Sequence, residues 1–139
     1  MSHRTTVEIP CPKCQDKQSV DVWDSINVTL DPSMRQQLFD GKINGFVCEK
    51  CSKAVVLHTP LLYHDMHRQF AVQYYPPEAI EDEEFLKEFQ AEHLWRHDEL
   101  LRPESKIPRH IQYPHIVFDL EEMCRYVVFR EILAGKKIG

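Results

Sequence analysis

Two cysteine pairs constrain this chain more than any other feature. Cys11-Pro-Lys-Cys14 and Cys48-Glu-Lys-Cys51 share the C-x-x-C spacing and are separated by the 33 residues from Gln15 to Val47. A C-x-x-C turn points two sulfurs the same way and aims backbone N–H groups at them. Two such turns complete a tetrahedral four-cysteine set, the donor set of a structural zinc site. Cys11, Cys14, Cys48 and Cys51 are therefore the expected metal ligands and Zn2+ the expected cofactor. The fold must then bring both knuckles to one point, and the long spacer has to be structured to allow it. Neither pair is followed by glycine, so Gln15 and Ser52 would adopt a left-handed backbone at about 1 kcal/mol each.

A Cys-Pro-x-Cys pair also serves redox proteins, where a helix N-terminus activates the first thiol. Here Gln15 to Trp23 alternates at period two, so a strand follows instead, and a second pair has no redox explanation. With all four coordination positions filled by thiolate, the metal has no place for water and cannot act as a Lewis acid. The expected role is structural. Four thiolates on a dication leave a formal charge of −2, which Lys13, Lys17, Lys50 and Lys53 can balance. The same lysines could contact phosphates, but no aromatic platform interleaves with them.

The knuckles sit between strand signals. Thr5 to Ile9 and Gln18 to Trp23 alternate around the first; Phe46-Val47 and Ala54 to His58 flank the second. Between them Asp31-Pro32 reads as a helix start and Gly41 as its stop, predicting a helix over Pro32 to Asp40. Further strands are expected near Leu61–Tyr63 and Gln69–Tyr75, with Pro76-Pro77 as a boundary. Beyond it, Glu78 to Arg102 has good helix formers and an apolar stripe of Leu86, Phe89, His93, His97 and Leu100. Prolines at 103, 108 and 114 leave room for short extended pieces at Arg109–Tyr113 and His115–Phe118. Asp119 with Glu122 is a capping box opening a last helix that Gly135 could end.

Composition narrows the functional classes. The chain has 139 residues, 42% apolar, with 17 Lys+Arg against 22 Asp+Glu and a net charge of −5. That suits one domain and argues against a strongly basic nucleic-acid binder. Residues 78–104 hold ten acids against three bases, enough to carry the whole imbalance. This is the signature of a solvated helix face or an acidic docking surface. The apolar runs are far shorter than the roughly 20 residues of a membrane span. The start lacks the apolar core of a secretory signal, so a cytoplasmic location is expected.

Eight histidines call for a search for a second metal. His64-Asp-Met-His67 offers two imidazoles and a carboxylate, or else a turn whose side chains bond to local backbone. His93 and His97 share a helical face, but no Glu follows the first, so the metalloprotease pattern is incomplete. A metal-dependent hydrolase built on His64, Asp65 and His67, or on His93 and His97, is the alternative to a binding module. No phosphate loop or nucleophile elbow is present. Cys124, left over, reads as a small buried hydrophobe.

The segment from Ile9 to about Tyr75 resembles the CpXC family of bacterial and archaeal proteins. The matching residues are Cys11-Pro-Lys-Cys14, Asp24-Ser-Ile-Asn-Val28 with Asp31-Pro32, Phe46-x-Cys48-x-x-Cys51 and Leu61-Leu-Tyr-His-Asp65. Glu49 stands where the second motif would have proline. The resemblance implies that the four cysteines are the motif cysteines of one domain covering most of the chain; it implies no activity.

The expected structure is a single α+β domain over 1–139. A zinc-ribbon-like antiparallel sheet on the four-cysteine site fills 1–76, with a short inserted helix, and 77–139 adds two C-terminal helices. The expected function is a non-enzymatic interaction module whose partner is another protein, with a zinc ribbon contacting nucleic acid as a further alternative.

Overall fold

A computed structural model of the chain describes residues 2–87 and 109–135. Its frame is a five-stranded sheet in the order β1-β2-β5-β6-β7. Strand β1 spans His3–Pro10 and β2 Lys17–Asn27, joined by the first knuckle as an antiparallel ribbon with Val7 opposite Val20. A separate two-stranded ribbon, β3 (Gly45–Val47) and β4 (Ala54–Val56), flanks the second knuckle. Strands β5 (Leu61–Asp65) and β6 (Phe70–Tyr74) form a hairpin, and β7 (His115–Val117) closes the far edge.

Pairing in the main sheet is mixed. β2 runs parallel to β5 and β6 parallel to β7, while the other two junctions are antiparallel. The parallel β2–β5 junction follows from the insertion between them: helix α1 (Ser33–Phe39) and the second ribbon occupy the crossover. A tight turn could not return the chain in the same direction.

Helix α1 starts on Pro32, as a proline-led helix should. Asp31 does not cap it; its carboxylate accepts from Ser2 Oγ at 2.7 Å instead. At the other end Gly41 takes φ +73°, with Gly41 N–H on Leu38 O and Lys42 N–H on Gln37 O, a Schellman closure. Helix α4 spans Leu120–Gly135, opened by Asp119, whose carboxylate accepts from Glu121 N–H at 2.7 Å. The core lies between the sheet and these helices: Ile26, Tyr63, Phe70 and Val72 from the strands meet Met34 and Leu38 of α1 and Met123 and Val127 of α4. Arg35 on α1 holds Glu131 on α4 by a two-pronged bridge at 2.7 and 2.8 Å, locking helices that lie far apart in sequence.

Two expectations are corrected. Arg109–Gln112 is one turn of helix, α3, and not an extended piece. Pro108 precedes its first residue, where a missing N–H costs nothing. The acidic segment opens with a 3-10 turn, Pro77–Glu81, and the α-helical turn α2, Glu83–Leu86, begins only after Asp82 accepts from Glu84 N–H. Within it Phe85 is the buried residue, edge-on to Tyr75 and Phe118, while Leu86 is exposed. The rest of the helix expected over Glu78–Arg102, His93 and His97 included, lies outside the described residues.

Three imidazoles have depressed titrations, His64 and His110 half-buried and His115 exposed on one side. His64, His110 and His115 all titrate below the ordinary 6.5, burial being the largest cause in each; His110 then lowers His64, and Arg130 lowers the other two. His115 stacks on Tyr126 at 3.9 Å. Because these groups bind protons more readily when unfolded, their contribution is intact above about 6.5 and is lost as pH falls through the folded values. Urea midpoints should therefore drop between about pH 7.5 and 5.5, and the drop should shrink in His64→Asn, the most enclosed of the three. A flat profile would contradict the assignment.

Candidate metal centre

Each knuckle is a strand end folded back on itself. Cys11 N–H donates to Asp16 O and Gln15 N–H to Cys11 O; Cys48 N–H donates to Lys53 O and Ser52 N–H to Cys48 O, all between 2.8 and 2.9 Å. The two turns are the same structure built twice. Gln15 and Ser52 hold φ +63° and +62°, the left-handed positions expected of them. The four sulfurs come together: Cys11 Sγ lies 3.6 Å from Cys51 Sγ, and Cys14 Sγ 3.5 Å from Cys48 Sγ. All four lie within 4.8 Å of one another. Tetrahedral zinc with Zn–S near 2.3 Å would set sulfurs about 3.8 Å apart, so the donor set fits such an ion.

Two polar side chains that carry no motif signature position the site. Gln18 Nε2 donates to Cys48 Sγ at 2.9 Å, and its Oε1 accepts from Glu49 N–H at 3.3 Å, so one amide from β2 clasps the opposite knuckle. Asn44, buried and at φ +56°, acts as a substitute strand. It accepts from Trp23 N–H at 2.6 Å and donates to Trp23 O at 2.8 Å. This bolts the second ribbon to β2. Next to it, a Cβ on Gly45 would approach Val55 O to 3.1 Å, tighter than side chains ordinarily allow. The sequence holds one hint of Gln18: it is a polar residue in the inward series Gln18, Val20, Val22. Asn44 carried no signal beyond its type, since its partner is a backbone edge set by tertiary structure.

The electrostatics call for a cation. Cys48 is lowered to about 6, chiefly by the Cys51 amide, and Cys11 is lowered chiefly by the Cys14 amide. Cys14 is also pulled down by the Asp16 amide, but burial and the other three sulfurs together push it up to about 12. Four crowded thiols cannot all ionise without positive charge among them. A metal bound here must displace the Cys14 proton, so affinity falls as pH falls. Lys13, Lys17, Lys50 and Lys53 are all exposed around the cluster.

The other proposed ligands do not converge. Asp65 is fully engaged in its turn, accepting from Arg68 N–H at 2.9 Å and Arg68 Nη1 at 3.0 Å, and His67 is exposed. His64 turns to His110 instead, Nε2 to Nε2 at 3.0 Å. Among the described residues the four cysteines are the only group of three or more His, Cys, Asp or Glu side chains placed to hold a metal ion. Cys124 is half-buried on α4, its thiol pushed up by burial. No helix among the described residues is long and apolar enough to cross a membrane.

Paired cysteine knuckles on a mixed α+β frame define a small protein with a four-sulfur cluster able to hold a metal ion. The model of the CpXC protein family matches residues 9–133, and the chain belongs to that family. No curated protein and no solved structure matches it.

Loss of an outer-shell hydrogen bond typically costs about 10–100-fold in metal affinity. Gln18→Ala should weaken metal binding by about that factor at unchanged stoichiometry, measured by competition with a chromophoric chelator. Asn44→Ala should cost about 1–3 kcal/mol in urea unfolding, because it strips partners from a buried strand edge. A loss below about 0.5 kcal/mol would mean the ribbon is held elsewhere.

Proposed function

We propose that this protein is a non-enzymatic interaction module whose knuckle half is pinned by a structural zinc ion on Cys11, Cys14, Cys48 and Cys51. The observation that carries this reading is the convergence of four sulfurs, with backbone and Gln18 donors already aimed at them. Four thiolates saturate a tetrahedral ion, so its role is to hold a surface and not to transform a substrate. Zinc suits this donor set because soft sulfur ligands in tetrahedral geometry favour it.

The surface for a protein partner includes the outer side of α4. Val128, Phe129, Ile132 and Leu133 are exposed there, and a shallow groove of about 520 Å3 runs along Cys124, Val128, Phe129 and Ile132. Ile80 and Leu86 add exposed apolar side chains where the acidic segment begins. Contiguous apolar surface of this kind marks interaction sites.

Purified protein should contain one zinc ion per chain, and a strong chelator should abolish the dispersed NMR signals of β1, β3 and β4 while those of α4 persist. Metal-free material with all signals unchanged would refute the structural role. For the partner, affinity capture from the native host should compare wild type with Phe129→Asp/Ile132→Asp and with a deletion of 78–104. A binding protein lost in either variant supports the module; an identical set of captured proteins for all three removes it.

A further inference from the structure

We propose that His64 and His110 form a second metal site, separate from the cysteine cluster. It takes a divalent, imidazole-preferring transition-metal cation through the two Nε2 atoms. His64 stands on strand β5 and His110 on the helical turn α3, which the sequence separates widely and the fold brings edge to edge. Their Nε2 atoms are 3.0 Å apart, with ring centroids at 5.1 Å and planes tilted by 39°. Two uncharged imidazoles facing through the same nitrogen need one proton between them, and that proton occupies the place a cation can take.

Nitrogens at this separation can both lie about 2.0–2.1 Å from a common ion, which they would subtend at about 90°. That is a cis pair in a tetragonal or octahedral shell, the arrangement imidazole gives to Ni2+, Co2+ or Cu2+. The bridging proton need not leave the protein. It moves from Nε2 to Nδ1 of the same ring, leaving two neutral rings with both Nε2 lone pairs on the metal.

Space and charge agree with this. On the His64 side of the pair, His64, Met66, Leu62 and Ile111 line a cavity of about 340 Å3, room for waters that would complete the shell there. Buried Asp65 bears on both imidazoles as a negative charge, while Arg130 opposes it at His110. Asp65 remains on Arg68 and acts at a distance. Met66 Sδ accepts from Asn27 Nδ2 at 3.1 Å, which fixes the cavity wall without making the sulfur a ligand.

The test adds Co2+ to protein already loaded with zinc and follows ring and amide NMR signals together with visible absorption. One further ion should bind, with paramagnetic broadening centred on His64 and His110, and with no thiolate-to-cobalt band. A direct ligand is worth at least as much as an outer-shell partner, so His64→Ala and His110→Ala should each weaken Co2+ binding by about tenfold or more. His110→Gln keeps a hydrogen-bonding amide opposite His64 and should preserve the thermal midpoint while losing the metal. His67→Ala, at an exposed imidazole, should change neither. Broadening centred on other histidines, or no binding at all, would overturn the proposal and leave a plain hydrogen bond between two rings. A thiolate-to-cobalt band would instead show that zinc had not filled the cysteines, a failure of the four-cysteine zinc reading and not of this one.

Discussion

Mutual repulsion among four crowded sulfurs is the constraint around which the knuckle half is arranged. Within 4.8 Å of one another, these groups can share negative charge only if something positive sits between them. The backbone supplies part of the answer, since amides from each knuckle lower Cys11 and Cys48. It cannot supply all of it, as the raised Cys14 shows. A dication bound there would complete the balance and in doing so close a long loop. The entropy of that closure grows only slowly with length, so the 33-residue spacer adds little to the cost of bringing its ends together.

Strand β2 is the strut that couples this cluster to the rest of the molecule. It runs eleven residues, Lys17–Asn27, and each part has its own task. Its first residues carry Gln18 across to Cys48. Trp23, in the middle, offers the backbone edge that Asn44 copies. Its last, Ile26 and Asn27, are buried in the core and pair with β5. The main hydrophobic cluster lies among β5, β6, α1 and α4, so a metal on the cysteines would not have to hold the core. It would hold the ribbon end, where three-residue strands β3 and β4 bury little apolar surface of their own.

Much of this was legible in the residues. Both knuckles, their flanking strands, the left-handed Gln15 and Ser52, helix α1 with its glycine stop and the Asp119 start of α4 all follow from local rules. What escaped was decided at long range. A period-two pattern tells which face a residue uses and nothing about strand direction, so the parallel β2–β5 and β6–β7 junctions were invisible. Arg109–Gln112 read as extended because prolines bracket it, yet a proline before a helix is harmless and a single turn leaves no periodicity to detect. The pairing of His64 with His110 could not be read either. Spacing along the chain suggested His67, whereas the sheet and α3 supplied a partner 46 positions away.

Among the described residues, helix α4 carries the largest group of exposed apolar side chains. One side sends Met123 and Val127 fully into the core. Its other side leaves Phe129 55% and Ile132 56% exposed, one turn apart, beside Val128 and Leu133. Scattered apolar residues on a surface need no explanation, but four in six consecutive positions form a continuous strip. Burying one such side chain completely is worth about 1.5–3 kcal/mol, so the strip holds binding energy that the described residues leave unused. The cysteine cluster hangs from the β1–β2 edge of the sheet while α4 rests on β6 and β7 at the other. On the proposed reading the two margins divide the labour: a metal held by the four sulfurs would fix shape at one, and the apolar strip of α4 would supply affinity at the other.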